Sequence, residues 1–170
     1  MNILTPLAIR IGSIPWLPRF LPQITAIDKL IQRISRGRVT LLMVAGLPNL
    51  MLTVSGRRSG VPRTIPLLCV PHGEGHLVAG SNFGGAKPPV WVVNVRAAAE
   101  RGHPVGVQIR GRSHHALPRE VVGEEREEKW RHMLRTWPNY AKYAERTDRT
   151  IPVFLLEPVA SDGTAVSEAP

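Results

Sequence analysis

From position 39 onward, glycines and prolines cut the chain into apolar runs too short and too closely spaced to be helices. Such punctuation predicts strands over 39–45, 50–55, 63–70, 76–81, 104–110, 113–121 and 151–157. Gly46-Leu47-Pro48-Asn49 links the first pair, and Pro71-His72-Gly73-Glu74-Gly75 joins the third strand to the fourth. Gly111-Arg112 closes a further hairpin. Helices are expected at about 89–99 and 123–137, the second with Glu and Arg along a solvated face. Short strands joined mainly as hairpins, with helices inserted, predict a small, mainly antiparallel barrel of the α+β class.

The ends differ from this body. Residues 1–23 are apolar but carry Pro6, Pro15, Pro18 and Pro22, which forbid one long helix. Trp16 and Phe20 stand there beside Arg10 and Arg19, so the segment reads either as an irregular arm packed on the body or as an arm that touches an anionic lipid surface or roofs the substrate. Ile24, Ile27, Leu30, Ile31 and Ile34 recur at helical spacing, with Lys29, Arg33 and Arg36 opposite. This stripe, too, suits a core contact or a membrane contact. The organisation expected is therefore an arm and amphipathic helix over 1–37, a body over 38–158 and a flexible polar tail over 159–170. The longest uncharged stretch, between Arg38 and Arg57, is broken by the 46–49 turn, whereas a spanning helix needs about 20 apolar residues. No basic residue precedes Arg10 and Pro6 splits the first apolar run, unlike a signal peptide. With one cysteine, a disulfide framework is excluded and a reducing, cytoplasmic setting is expected, with attachment to the inner membrane face left open.

Charge narrows the ligand class. Lys and Arg number 22 against 13 Asp and Glu, a net +9 over 170 residues, which favours an anionic partner. The excess is concentrated in Ser55-Gly56-Arg57-Arg58-Ser59-Gly60-Val61-Pro62-Arg63-Thr64, a tight connection between apolar runs carrying three arginines. Guanidinium forks match phosphate and carboxylate, and glycines let backbone N–H groups approach an anion. The plainer alternative is a solvated hairpin whose charges keep strand edges apart.

A second loop, Gly80-Ser81-Asn82-Phe83-Gly84-Gly85-Ala86-Lys87-Pro88-Pro89, empties into a predicted helix where Lys87 and free N–H groups favour a phosphate. Neither the Walker spacing nor the Gly-x-Gly-x-x-Gly turn is present, so nucleotide hydrolysis and a dinucleotide fold are not implied. Trp91 and Asn94 fall on one face of that helix. Tyr140 and Tyr143, the chain's two tyrosines, are likewise three apart; they suit either a planar ligand or aromatic packing. Cys69 lies in an apolar run and reads as core, the six histidines lack metal-ligand spacing, and no serine sits in a Gly-x-Ser-x-Gly elbow. Covalent and hydrolytic mechanisms have no visible apparatus, and no metal is expected.

The segment 52–67 resembles the strand–turn–strand hallmark of the deazaflavin-dependent nitroreductase family, within the split-barrel flavin and deazaflavin oxidoreductases. Residues 81–94, with Gly-Gly and Pro-x-Trp-x-x-Asn, resemble its second hallmark; 138–143 and 147–153 resemble its third. The likeness spans about 37–158. It implies a split β-barrel that binds reduced coenzyme F420, an 8-hydroxy-5-deazaflavin bearing a phosphodiester and an oligoglutamate tail. It also implies hydride transfer to a quinone, nitroaromatic or similar acceptor, and some members associate with membranes. By resemblance, Arg57, Arg58, Ser59 and Arg63 hold phosphate and tail. Thr64, Ile65, Pro66, Leu67 and Leu68, with Ala79, Gly80, Ser81 and Asn82, line the ring, and Val90, Trp91 and Asn94 complete the pocket. Asn82 stands where relatives can carry a basic residue, with Lys87 nearby as a substitute. Ser81, Tyr140 and Tyr143 match catalytic positions beside the acceptor. The rivals are an FMN- or FAD-dependent split-barrel reductase and a non-catalytic basic module for membranes or other anions; nucleic acid is not expected, since the aromatic–basic strand alternation of single-strand binders is missing.

Overall fold

The computed structural model describes residues 46–159, together with Arg10, Ile14 and Gln23. The arm, the amphipathic helix, the strand expected over 39–45 and the tail beyond 159 lie outside the described residues. The elements are β1 (Asn49–Ser55), β2 (Pro62–His72), β3 (Gly75–Ala79), α1 (Val90–Glu100), β4 (Val105–Ile109), β5 (Arg112–Val121), α2 (Gly123–Thr136), α3 (Asn139–Glu145) and β6 (Val153–Pro158), with a 3-10 turn at Asn82–Gly84. The six strands close into an antiparallel barrel in the order β1-β2-β3-β6-β5-β4, sealed where Met51 to Thr53 of β1 pair with Gln108 to Gly106 of β4. This is the expected architecture.

Side-chain alternation sorts the strands into an inner and an outer face. Leu50, Leu52 and Val54, Cys69, Val78, Val105 and Val107, Ala116, Phe154 and Leu156 share one core cluster, joined by Trp91, Val92 and Val95 of α1. Intervening residues face the other way: Val70, Leu77, Val121, Val153 and Leu155 pack with Trp130 and Met133 of α2 and with Tyr140 and Tyr143 of α3. Burying so much aliphatic and aromatic surface, at about 25 cal/mol per Å², is what holds the helices on the barrel.

Turn chemistry sets the registers, and here the boundaries shift slightly from expectation. Ile109 pairs with Arg112, so the β4–β5 turn is Arg110-Gly111 rather than Gly111-Arg112, with φ of 49° and 82° at its two central residues. Two positive-φ residues in a two-residue loop match the right-handed strand twist, and glycine takes the second position without strain. β2 runs on to His72 and pairs with Gly75, leaving only Gly73-Glu74 to turn the chain. β6 begins at Val153, two residues late, because Pro152 leaves the ladder and its carbonyl accepts Gly80 N–H at 2.9 Å.

The surface of α2 is braced by ion pairs. Arg119 of β5 donates through both terminal nitrogens to Glu125, at 2.7 and 2.9 Å, while the buried Lys129 approaches the same carboxylate at 3.4 Å. The Arg119 hydrogen bonds and charge, with help from Lys129, pull the Glu125 carboxyl down to about 2. A depressed carboxylate stabilises the fold above its unfolded value, and that contribution fades as pH falls toward 2. Glu125→Gln should therefore lower Tm at neutral pH, with the gap from the parent shrinking as pH falls from about 4.5 to 2. Melting curves across that range test this, and a gap independent of pH would refute it.

Candidate coenzyme and acceptor site

The arginine loop is built on Gly56. Gly56 N–H donates to Val61 O at 2.9 Å and Gly60 N–H to Gly56 O at 2.7 Å, with Gly60 at φ 67°. A Cβ on Gly56 would lie 2.6 Å from Ser59 Oγ and 3.9 Å from Arg63 Nε, so the loop folds Ser59 and Arg63 over this bare position. Arg57, Arg58, Ser59, Arg63 and Thr64 are exposed. Thr64 Oγ1 shares a 2.8 Å hydrogen bond with Thr53 of β1.

One bond ties this loop to α1. Arg57 backbone N–H donates to Asn94 Oδ1 at 3.0 Å, and Asn94 is only 6% exposed. With its oxygen committed, the amide must turn its two Nδ2 donors elsewhere. Asn94 lines a cleft of about 350 Å³ together with Gly56, Arg57, Gly60, Arg101 and His103, and no carboxylate is among its lining residues. Sequence reasoning named Arg57 and Asn94 but missed Arg101 and His103. Their signal is indirect: β1 ends beside the start of β4, since Thr53 pairs with Gly106, and this brings the α1–β4 connection next to the arginine loop.

The ring-lining candidates of β2 lie beyond the reach of β3. β3 pairs with β2 only from Cys69–Val78 to His72–Gly75. On the side away from β1, residues 62–68 of β2 therefore have no strand partner among the described residues. Ile65, Pro66, Leu67 and Leu68 are half-buried along this uncovered reach. Pro66, which has no N–H to leave unpaired, suits such an edge. Ala79 and Gly80 stand where the ladder stops. Gly80 has no room for a side chain: a Cβ would meet Val92 Cγ2 at 2.5 Å and Pro152 Cγ at 2.9 Å.

Ser81 opens a turn in which Asn82, Phe83 and Gly84 hold φ of 47°, 54° and 82°. Asn82 Nδ2 donates to Lys87 O at 3.0 Å, so this side chain closes the turn, while Lys87 itself is exposed. Trp91 is 9% exposed with its ring 5.9 Å from that of Phe154, whereas Val90 is 75% exposed.

Tyr140 and Tyr143 are brought together, but inside the outer cluster. They are 3% and 2% exposed; Tyr140 lies 5.4 Å from Trp130 and Tyr143 lies 5.5 Å from Phe83 of the turn. Burial raises both phenols, Tyr143 to about 12 with the Trp137 hydrogen bond and the Arg146 charge opposing, so both stay protonated. Cys69 is buried inside the barrel and burial pushes its thiol up to about 12, which fits the core role and no nucleophilic one.

The donor set suits a polyanionic coenzyme: a carboxylate-free cleft lined by two arginines, a histidine and a buried amide. The comparisons agree. The profile of the F420H(2)-dependent quinone reductase family matches residues 26–158. An F420H(2)-dependent quinone reductase of Mycobacterium tuberculosis is 28% identical over 143 residues, covering 83% of this chain and 95% of the relative. Among solved structures, an F420-H2 dependent reductase, FDR-A, superposes with a TM-score of 0.58 at 36% identity, over 65% of this chain and 94% of that one. Another, described as a domain-swapped dimer, gives 0.60 at 30% identity over 78% and 98%. With the barrel, the arginine loop and the matched span in agreement, the chain belongs to the F420H(2)-dependent quinone reductase family, an oxidoreductase family whose coenzyme is F420.

Proposed function

We propose that this chain passes a hydride from reduced F420 to a quinone, with nitroaromatic and similarly activated compounds as further acceptors. The observation that carries the reading is the Arg57–Asn94 bond, because it holds the cationic loop against α1 beside the uncovered reach of β2. Arg57, Arg58, Ser59 and Arg63 would hold the coenzyme's phosphate and acidic tail, with Lys87 as a further cation. Thr64 to Leu68 and Ala79 to Asn82 would line its ring, closed off by Val90, Trp91 and Asn94. When bound, the coenzyme supplies the hydride. The protein's part is to orient it, exclude water and stabilise charge on the acceptor. Ser81 Oγ is assigned to hydrogen-bond the acceptor oxygen as negative charge builds there. Tyr140 and Tyr143 are assigned to the wall behind that site through Phe83 rather than to proton donation, since their hydroxyls are enclosed. The proton then comes from solvent.

Family membership favours F420 over FMN or FAD, and favours catalysis over a purely anion-binding role. No helix among the described residues is long and apolar enough to cross a membrane. The basic and aromatic residues of 1–37 support contact with an anionic bilayer from the cytoplasmic side.

Arg57→Ala should weaken F420 binding by roughly ten- to a hundredfold, the loss of one charged hydrogen bond at about 1.5–3 kcal/mol. Quenching of deazaflavin fluorescence measures this, and an unchanged Kd would remove Arg57 from the cradle. In anaerobic turnover with menadione, Ser81→Ala should lower kcat by about tenfold or more with coenzyme Kd preserved. A parental kcat would reject its place at the acceptor. The full chain should sediment with phosphatidylglycerol vesicles but not with phosphatidylcholine vesicles, and failure to sediment with the anionic ones would rule out the membrane contact.

A further inference from the structure

The turn from Ser81 to Gly85 holds a conformation that its own residues do not favour. Asn tolerates the left-handed region, but a residue as bulky as Phe83 rarely enters it. Gly84 N–H donates to Ser81 O at 3.0 Å and Gly85 N–H to Asn82 O at 2.8 Å, bonds that belong to the turn itself. Something outside it must select this geometry over relaxed alternatives.

Arg149, in the stretch between α3 and β6, reaches both ends of the turn. Its Nη2 donates to Ser81 O at 2.7 Å and its Nε to Gly85 O at 3.0 Å. A planar guanidinium can bridge two carbonyls in a fixed geometry, whereas a lysine ammonium is a point charge on a flexible stem. Nη1 is enclosed and has no hydrogen-bond partner among the described residues, and burial lowers the guanidinium's pKa. Arg149 is half-buried, has no ion pair among the described residues and directs its donors to the carbonyls of this turn. Neighbouring contacts press the same way: Arg146 lies over the Tyr143 ring at 5.5 Å and Gly84 packs against the Tyr143 carbonyl, where a Cβ would sit 2.6 Å from the oxygen.

We propose that Arg149 is a positioning residue for hydride transfer: by gripping the Ser81 and Gly85 carbonyls it fixes the strained turn that presents the Ser81 hydroxyl to the acceptor. The proposal rests on the place given to Ser81 above. Arg149 acts on neither coenzyme nor acceptor directly; its effect passes through the backbone of residues 81–85.

The test uses the full chain with Arg149→Lys and Arg149→Ala, read by amide hydrogen exchange and by anaerobic turnover of reduced F420 with menadione. In Arg149→Lys, exchange at Gly84 and Gly85 should speed up while the barrel strands keep their protection. Its kcat should fall by about ten- to a hundredfold with coenzyme Kd unchanged, the scale of a misplaced reacting group. Methylguanidinium added to Arg149→Ala should restore part of the lost kcat. Unchanged exchange at Gly84 and Gly85 would overturn the clamp, as would loss of protection throughout the barrel or a parental kcat in Arg149→Lys. When Ser81→Ala is itself impaired, adding Arg149→Lys should cost little more; a full further loss would show that Arg149 acts elsewhere. A fully active Ser81→Ala rejects the role of the hydroxyl separately, while faster exchange at Gly84 and Gly85 would still uphold the clamp on the turn.

Discussion

Eleven residues of β2 meet only five of β3, and the arrangement of the site follows from that mismatch. Backbone hydrogen-bonding groups seek partners, and closure of the ring through β1 and β4 supplies them around the barrel. Among the described residues, 62–68 of β2 pair on the β1 side only. A strand edge left open beside half-buried Ile65 and Leu67 offers both polar atoms and an apolar surface, which a flat ring system can use together. The arginine loop caps one end of this reach and the Ser81 turn stands at the other.

Much of the barrel was legible because turn residues and strand alternation are local properties. Gly60, Gly73 and Gly111 each sit at positive φ, so the punctuation in the sequence corresponds to real backbone demands. Boundaries moved by a residue or two where a non-local partner intervened, as when Gly80 takes the Pro152 carbonyl and delays β6. The site was legible in part. Arg57 and Asn94 could be named, but their mutual bond crosses 37 positions of sequence and has no local signature. Arg101 and His103 join the cleft only because strand pairing brings the end of α1 to the arginine loop. The tyrosine pair shows the converse limit: spacing of three puts two rings on one helical face, yet cannot say whether that face meets a ligand or the outer core.

Arginines among the described residues act in contrasting settings. Those of the 56–63 loop are exposed, and their charge is available to an incoming anion. Arg119 is matched by carboxylates and braces α2. Arg149 is half-buried and directs its donors to carbonyls, so its shape matters more than its charge. The net +9 therefore overstates how much charge serves binding; the useful fraction is set by burial and partner.

The tether between the loop and α1 uses the main chain of residue 57 and the side chain of residue 94. The side chain at 57 is thus free of any duty in holding the loop, and the loop's placement is independent of its electrostatic strength. On the proposed function, a change of side chain at 57 would alter how tightly a coenzyme is held and leave the cavity outline in place. Affinity and architecture are separable traits at this position, and selection can adjust one without dismantling the other.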